Sequence, residues 1–164
     1  MQESFSRLLE EYQFLTQQIE RQTKVLRELA ETAQYQDRMK ILRSTPGIGL
    51  ISAMEYLLEL QDMKRFRRGN QLAAYVGLTP SQYSSGEHVR MGRITAIGKN
   101  DLRGTLVEVA WRLIAKDPAM REKYERIKAR AGSKRAIIAI ARTTLLRTRR
   151  MLLDRQPYVV GLAA

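Results

Sequence analysis

Cysteine is absent from the 164 residues, and His88 is the only histidine. The first absence removes disulfides, thiolate nucleophiles and cysteine zinc sites together; the second removes any histidine-rich metal centre. Proline and glycine are scarce, with 4 and 10 residues, and helix formers dominate, so the chain is expected to be mostly α-helical. No apolar run approaches the length of a membrane span, and the amphipathic start is not a signal peptide. The missing cysteines are compatible with the cytoplasm. Enzyme signatures are also lacking: there is no Walker phosphate loop, no G-x-S-x-G elbow and no zinc motif.

Acidic residues run short in one region only. Residues 1–89 carry 11 basic and 11 acidic side chains, and residues 151–164 carry one of each. Residues 90–150 carry 17 basic and 5 acidic, which is the whole net charge of +12. Solubility does not require such asymmetry. A polyanion partner accounts for it, because each neutralised phosphate releases condensed counterions. The alternatives are a solvated basic surface or an acidic protein partner. The hydrophobic fraction, 44%, suffices for a packed core.

Residues 3–36 read as one long helix. Phe5, Leu8, Tyr12, Leu15, Ile19, Gln22, Leu26, Leu29 and Ala33 are spaced alternately three and four apart, an a/d seam that needs a partner helix. The partner is a second chain or a helix of this chain packing back; no second clean heptad run is present, so self-association is the expectation, with Gln22 as the one polar seam position. Asp37 is expected to cap a short helix from Arg38 to Ser44, with Ile41 and Leu42 facing the core. Thr45-Pro46-Gly47-Ile48-Gly49 and an apolar helix Leu50–Leu60 follow. The pattern reads as a helix-hairpin-helix element, in which Gly47 and Gly49 let a phosphate approach backbone N–H groups at a helix N-terminus. An ordinary tight turn gives the same pattern.

Lys64-Arg65-Phe66-Arg67-Arg68 is a basic knot around one aromatic. Phe66 reads as a core anchor, and Arg65, Arg67 and Arg68 as phosphate contacts or solvated charges. A short helix, Asn70–Val76, ends at Gly77. Residues 78–98 hold five Ser or Thr, one Pro and three Gly beyond Gly77. They read as a long irregular, functional loop, which Val89, Ile94 and Ile97 anchor. Helices over 99–116, from Asp117-Pro118 to Ala131-Gly132, and from a Ser133 cap to about Asp154 complete the chain. Glu55, Glu59 and Asp62 share one helix face and read as exposed carboxylates rather than a two-metal site. His88 has no evident orienting acid beyond Glu87, so a serine–histidine triad with Ser84 or Ser85 is a weak reading.

Several blocks gain meaning together: Ile41-Leu42-Arg43-Ser44-Thr45-Pro46-Gly47-Ile48-Gly49, then Gln71-Leu72-Ala73-Ala74-Tyr75-Val76-Gly77-Leu78-Thr79-Pro80-Ser81, then Tyr83-Ser84-Ser85-Gly86, Gly92-Arg93-Ile94-Thr95, Gly98 and Leu102-Arg103. Over about residues 38–116 the chain resembles the C-terminal transposase domain of the Piv/MooV-type DEDD insertion-sequence transposases, the "one-ten" family of bridge-RNA-guided recombinases. It departs from that pattern at Ala96, Ile97 and Lys99, which puts local phosphate contacts there in question. The resemblance implies a serine nucleophile at Ser85 or Ser84, with Ser85 favoured because it precedes Gly86. It also implies a composite active site whose Mg2+ is held by a separate RuvC-like domain, and a structured guide RNA beside DNA. A serine hydroxyl is a weak nucleophile that must lose its proton to a base or metal. Arg90, Arg93 and Arg103 would then neutralise charge on the phosphate.

The expected architecture is therefore all-α. A coiled-coil dimerisation helix (1–36) fronts a compact serine-bearing transposase domain (37–156) with the helix-hairpin-helix-like element and one long functional loop; 157–164 is a tail. Expected nucleic-acid contacts are Gly47, Gly49, Arg65, Arg67, Arg68, Arg90, Arg93, Lys99, Arg103, Lys134, Arg135 and Arg142. No cofactor or metal ligand is expected in this chain. No acidic set with strand context precedes the coiled coil, so the chain alone is expected to bind DNA and guide RNA without cutting, in the cytoplasm of a prokaryote and close to its nucleoid. Two rivals remain: a non-catalytic helix-hairpin-helix binding module, and a coiled-coil adaptor for an acidic protein.

Overall fold

The computed structural model describes residues 2–85, 88–94 and 98–162, with side chains for 3–80 and 98–162. Among these, seven helices carry an all-α fold: α1 (Gln2–Ala30), α2 (Gln36–Arg43), α3 (Leu50–Leu60), α4 (Gly69–Val76), α5 (Asn100–Lys116), α6 (Pro118–Ala131) and α7 (Ser133–Asp154). A 3-10 turn, Met63–Arg65, precedes α4. Between α4 and α5 stand two antiparallel strands, β1 (Pro80–Ser85) and β2 (His88–Ile94). The irregular loop expected over 78–98 is thus mainly a strand pair. Its Ser and Gly content hid the pairing, which depends on residues across the ladder and not on local propensity.

The core is organised around α7. Ala136, Ile137, Ile140, Ala141, Leu145 and Met151 are buried along it, and so are Thr144 and Thr148. Both threonine hydroxyls return to carbonyls one turn back, Ile140 at 2.9 Å and Thr144 at 3.0 Å, so neither buried polar group lacks a partner. Against this face pack α2, α4, α5 and α6. From α3, Tyr56 reaches in: its hydroxyl donates to the Leu145 carbonyl and lies 2.7 Å from the Thr148 hydroxyl. Burial pushes that phenol's pKa well up.

α1 ends at Ala30, six residues before the expected boundary. Leu26, Leu29 and Ala30 dock on the core, where α1 meets α3. Thr32 then turns its hydroxyl back to the Leu29 carbonyl at 2.7 Å, and the chain reverses. Docking, not helix propensity, sets the stop. Ala33 consequently lies outside the helix. The N-terminal part of the seam is uncovered: Phe5, Tyr12 and Ile19 are 69%, 68% and 67% exposed.

Two expected caps differ. α2 begins at Gln36, with Tyr35 at the cap position and no side-chain cap bond, so Asp37 lies inside the first turn. α7 begins at Ser133 itself after Gly132, again without a side-chain cap bond. Asp117 caps α6 as expected, accepting from Ala119 N at 2.9 Å and Met120 N at 3.5 Å. It does more than cap. The fully buried carboxylate also accepts from the Tyr158 hydroxyl and from Gly161 N at 3.2 Å, with Arg147 Nη1 at 3.7 Å. Arg147 donates in turn to the Tyr158 hydroxyl and the Val159 carbonyl, and Tyr158 N donates to Ser44 Oγ. The segment after α7 is therefore strapped across the α5–α6 junction. Burial acts to raise the Asp117 pKa, but the bonds from Tyr158, Ala119, Gly161 and Met120 together hold it below the ordinary carboxylate value.

Candidate nucleic-acid interface

The strand pair leaves the helical body through a narrow root. Gly77 ends α4 in the left-handed region, φ 80°, with its N–H on the Ala74 carbonyl and that of Leu78 on the Ala73 carbonyl. Gly98 follows β2 with φ 122°, and a Cβ there would meet Gly77 N at 2.7 Å. Only glycine allows this crossing. Arg103, from the first turn of α5, donates to the Gly77 carbonyl at 3.5 Å and to Asn100 Oδ1 at 2.6 Å.

The register pairs Gln82 with Met91, Tyr83 with Arg90, Ser84 with Val89 and Ser85 with His88. Directly paired residues share a face of an antiparallel ladder and successive residues alternate. Tyr83, Ser85, His88 and Arg90 therefore occupy one face; Gln82, Ser84, Val89 and Met91 occupy the other. Both serines stand at the end of β1 away from the root, about 16 Å along the strand from Pro80 at about 3.3 Å per residue. Arg103 is anchored at the root. Arg90 and Arg93 lie on β2. Gly86, Glu87, Thr95, Ala96 and Ile97 lie outside the described residues.

The Pro-Gly-Ile-Gly turn joins α2 to α3, which pack on each other. Gly47 has φ 95°, and a Cβ there would come 2.7 Å from Arg112 Cβ on α5, so helix packing already accounts for this glycine. Gly49 has open space around its α-carbon, and its N–H donates to Ser52 Oγ at 2.9 Å. The next amides, residues 50–52, are ones a helix cannot pair internally.

The expected cations divide into two groups. Arg65 and Lys99 are engaged. The Arg65 guanidinium lies 4.6 Å and 4.9 Å from the ring centroids of buried Phe66 and half-buried Tyr75. Lys99 pairs with Glu59 at 2.9 Å, and the Tyr75 hydroxyl donates to the same carboxylate at 2.9 Å. These bonds, that of Lys99 first, lower the Glu59 pKa, and Glu59 in turn raises that of Lys99. Arg67, Arg68, Lys134 and Arg135 are exposed and make no ion pair among the described residues. Arg142 donates to Asn70 Oδ1 at 2.9 Å, which brings it beside the first turn of α4.

The three carboxylates expected to be exposed have duties. Glu55 accepts from Thr105 at 2.6 Å, Glu59 holds Lys99, and Asp62 caps the 3-10 turn through Lys64 N at 2.9 Å. Among the described residues no group of three or more His, Asp or Glu could hold a metal ion. Sequence reading missed Asn70 and Arg149, whose Nη2 donates to the Phe66 carbonyl at 2.6 Å. Arg135, Arg142 and Arg149 are spaced by seven, close to two helical turns, and that spacing was the available signal.

Residues 39–125 match the model of the Transposase IS116/IS110/IS902 family. The y4qE protein of Sinorhizobium fredii is 35% identical over 111 residues, which is 68% of this chain and 28% of that protein. The transposase for insertion sequence element IS1111A of Coxiella burnetii is 30% identical over 118 residues, 70% of this chain and 32% of that protein. The pilin gene-inverting protein of Moraxella bovis is 27% identical over 130 residues, 77% of this chain and 40% of that protein. The chain thus spans well under half the length of these relatives.

Proposed function

This chain belongs to the Transposase IS116/IS110/IS902 family, and we propose that it is the C-terminal part of a DNA transposase or recombinase of the Piv/MooV type, binding DNA and a structured guide RNA and supplying a serine nucleophile for strand exchange. The observation that carries the reading is a serine pair at the far end of a strand pair rooted between α4 and α5, within the matched segment. A strand pair gives a short nucleophile the reach to enter a DNA groove while its root stays on a rigid body.

In the proposed step the serine oxygen attacks a backbone phosphorus. The new Oγ–P bond replaces one P–O bond of the DNA, the departing strand takes up a proton, and the phosphoserine link conserves the bond for rejoining. What favours Ser85 over Ser84 is its face. Its ladder partner is His88, at the Cα separation of about 4.5–5.5 Å usual for paired residues, and Arg90 is on the same face. Arg90 on that face suits neutralisation of the phosphate; Ser84 instead shares its face with Val89 and Met91. The described residues do not fit a Mg2+ site, so no step here is assigned to a metal. In this reading Mg2+ is held by a separate RuvC-like domain, as the resemblance implies. The chain by itself binds nucleic acid without cleaving it.

α1 serves self-association in this reading, because its uncovered seam repeats every seven residues and is complementary to a second copy. The test of the nucleophile is Ser85→Ala and Ser84→Ala in the full-length protein. Ser85→Ala is expected to abolish recombination while DNA binding persists, and Ser84→Ala to leave it active. Recombination that survives both changes would reduce the chain to a binding module.

A further inference from the structure

We propose that the loop before α4 and the arginine stripe of α7 form one face that grips the phosphate backbone of duplex DNA, a proposal that rests on the DNA-binding reading above. Three contacts lay residues 66–70 along α7 in antiparallel order. Arg149 donates to the Phe66 carbonyl at 2.6 Å. Gly69 sits against Leu146, where a Cβ would come 2.7 Å from Cδ2. Arg142 donates to Asn70 at 2.9 Å. Arg67 and Arg68 are thereby delivered, exposed, beside the stripe. Arg135 continues it about 10 Å beyond Arg142, at about 1.5 Å per residue.

The two segments that form the face carry no counter-charge of their own. Residues 63–76 contain no Asp or Glu, and α7 contains none before Asp154. The first turns of α4 and α7 hold no acidic residue either, so their partial positive ends add to the same field. Neighbouring Arg65 and Lys99 differ, being occupied by aromatic rings and Glu59. This cation crowding is repulsive in the free protein and is relieved by a polyanion. The chemistry of the face also selects the form of polyanion. Of the described rings in the loop and α4, Phe66 is buried and Tyr75 lies under Arg65, so neither is free to stack on an unpaired base, the usual device of single-strand binding. Arginines in a row without such a platform suit the backbone of a double helix. Arg149 acts as the strut: it carries the loop and holds its Nε in the interior.

The test is binding of the 164-residue chain to a short DNA duplex and to an RNA hairpin across a salt series. The quadruple variant Arg67→Gln, Arg68→Gln, Arg135→Gln, Arg142→Gln is compared with a charge-matched variant, Arg43→Gln, Arg112→Gln, Lys116→Gln, Arg126→Gln. The face variant is expected to flatten the log–log salt slope for duplex DNA by about 3 to 4, near 0.9 per lost phosphate contact, and the matched variant by less than about 1. Because Arg142 also tethers Asn70, the pair Arg67→Gln, Arg68→Gln is measured alone, with an expected slope change of about 2. Equal losses in the face and matched variants would overturn the proposal while leaving DNA binding itself intact. So would loss of RNA binding with DNA binding unchanged. Failure of the unaltered chain to bind duplex DNA would overturn the underlying reading as well.

Discussion

α1 and α7 are the two longest helices, 29 and 22 residues, and they dispose of their apolar residues in opposite ways. α1 carries a seam, one residue every three or four, with Leu9, Phe14 and Val25 beside it, and its first half is in solvent. α7 carries a double column, Ala136 and Ile137, Ile140 and Ala141, Thr144 and Leu145, and packs against four other helices. A seam suits one partner helix; a wide face suits several neighbours at different angles. Hydrophobic content alone does not distinguish them. What covers each face does: other helices over α7, solvent over the first half of α1.

The comparison can be tested by substitution on each helix. The largest effect is expected in the α7 face: Leu145→Ala leaves a cavity at a fully buried position and should cost about 3 kcal/mol in chemical denaturation. Asp117→Asn comes next, at about 2 to 3 kcal/mol at neutral pH, because it weakens the acceptor that straps Tyr158 and Gly161 across the end of α5. The Asp117 pKa falls on folding, so this contribution is complete above the unfolded-state value of about 3.9 and is lost as pH drops through the folded one. The stability gap between wild type and Asp117→Asn should narrow on acidification; a gap independent of pH would show that the charge is not what matters. The smallest effect on folding is expected in α1. Leu8→Ser with Leu15→Ser should change monomer stability by less than about 0.5 kcal/mol yet abolish self-association in sedimentation. A wild-type chain that is monomeric at every concentration would instead assign the seam to a different protein.

Helix boundaries governed by local chemistry were legible in the sequence. Asp117-Pro118 opens α6, Gly77 closes α4 and Leu50–Leu60 is α3, because caps, proline and left-handed glycine act within a few residues. Features set by distant contacts were not. α1 stops where it docks, β1 and β2 exist only as a pair, and Tyr158 in the expected tail is buried by Asp117. The same division runs through the candidate site. The serines stood out only through the family resemblance, whereas the glycines and the basic residues could be picked out by type and spacing. Their company could not: Arg65 and Lys99 look like Arg67 and Arg68 in sequence, but a carboxylate from α3 and two aromatic rings occupy the first pair.

The crossing of Gly77 and Gly98 has a consequence for how such proteins can diversify. Entry to and exit from the strand pair occur at one point on the body, so the distance the inserted segment must span there is fixed and short. Residues can be added to or removed from its outer end, or exchanged wholesale, without displacing α4 or α5, since loop closure depends only weakly on length. The serine-bearing segment is therefore an interchangeable tip on a constant mount. A change of side chain at Gly77 or Gly98 would do what no change at the tip does, which is to alter the mount itself.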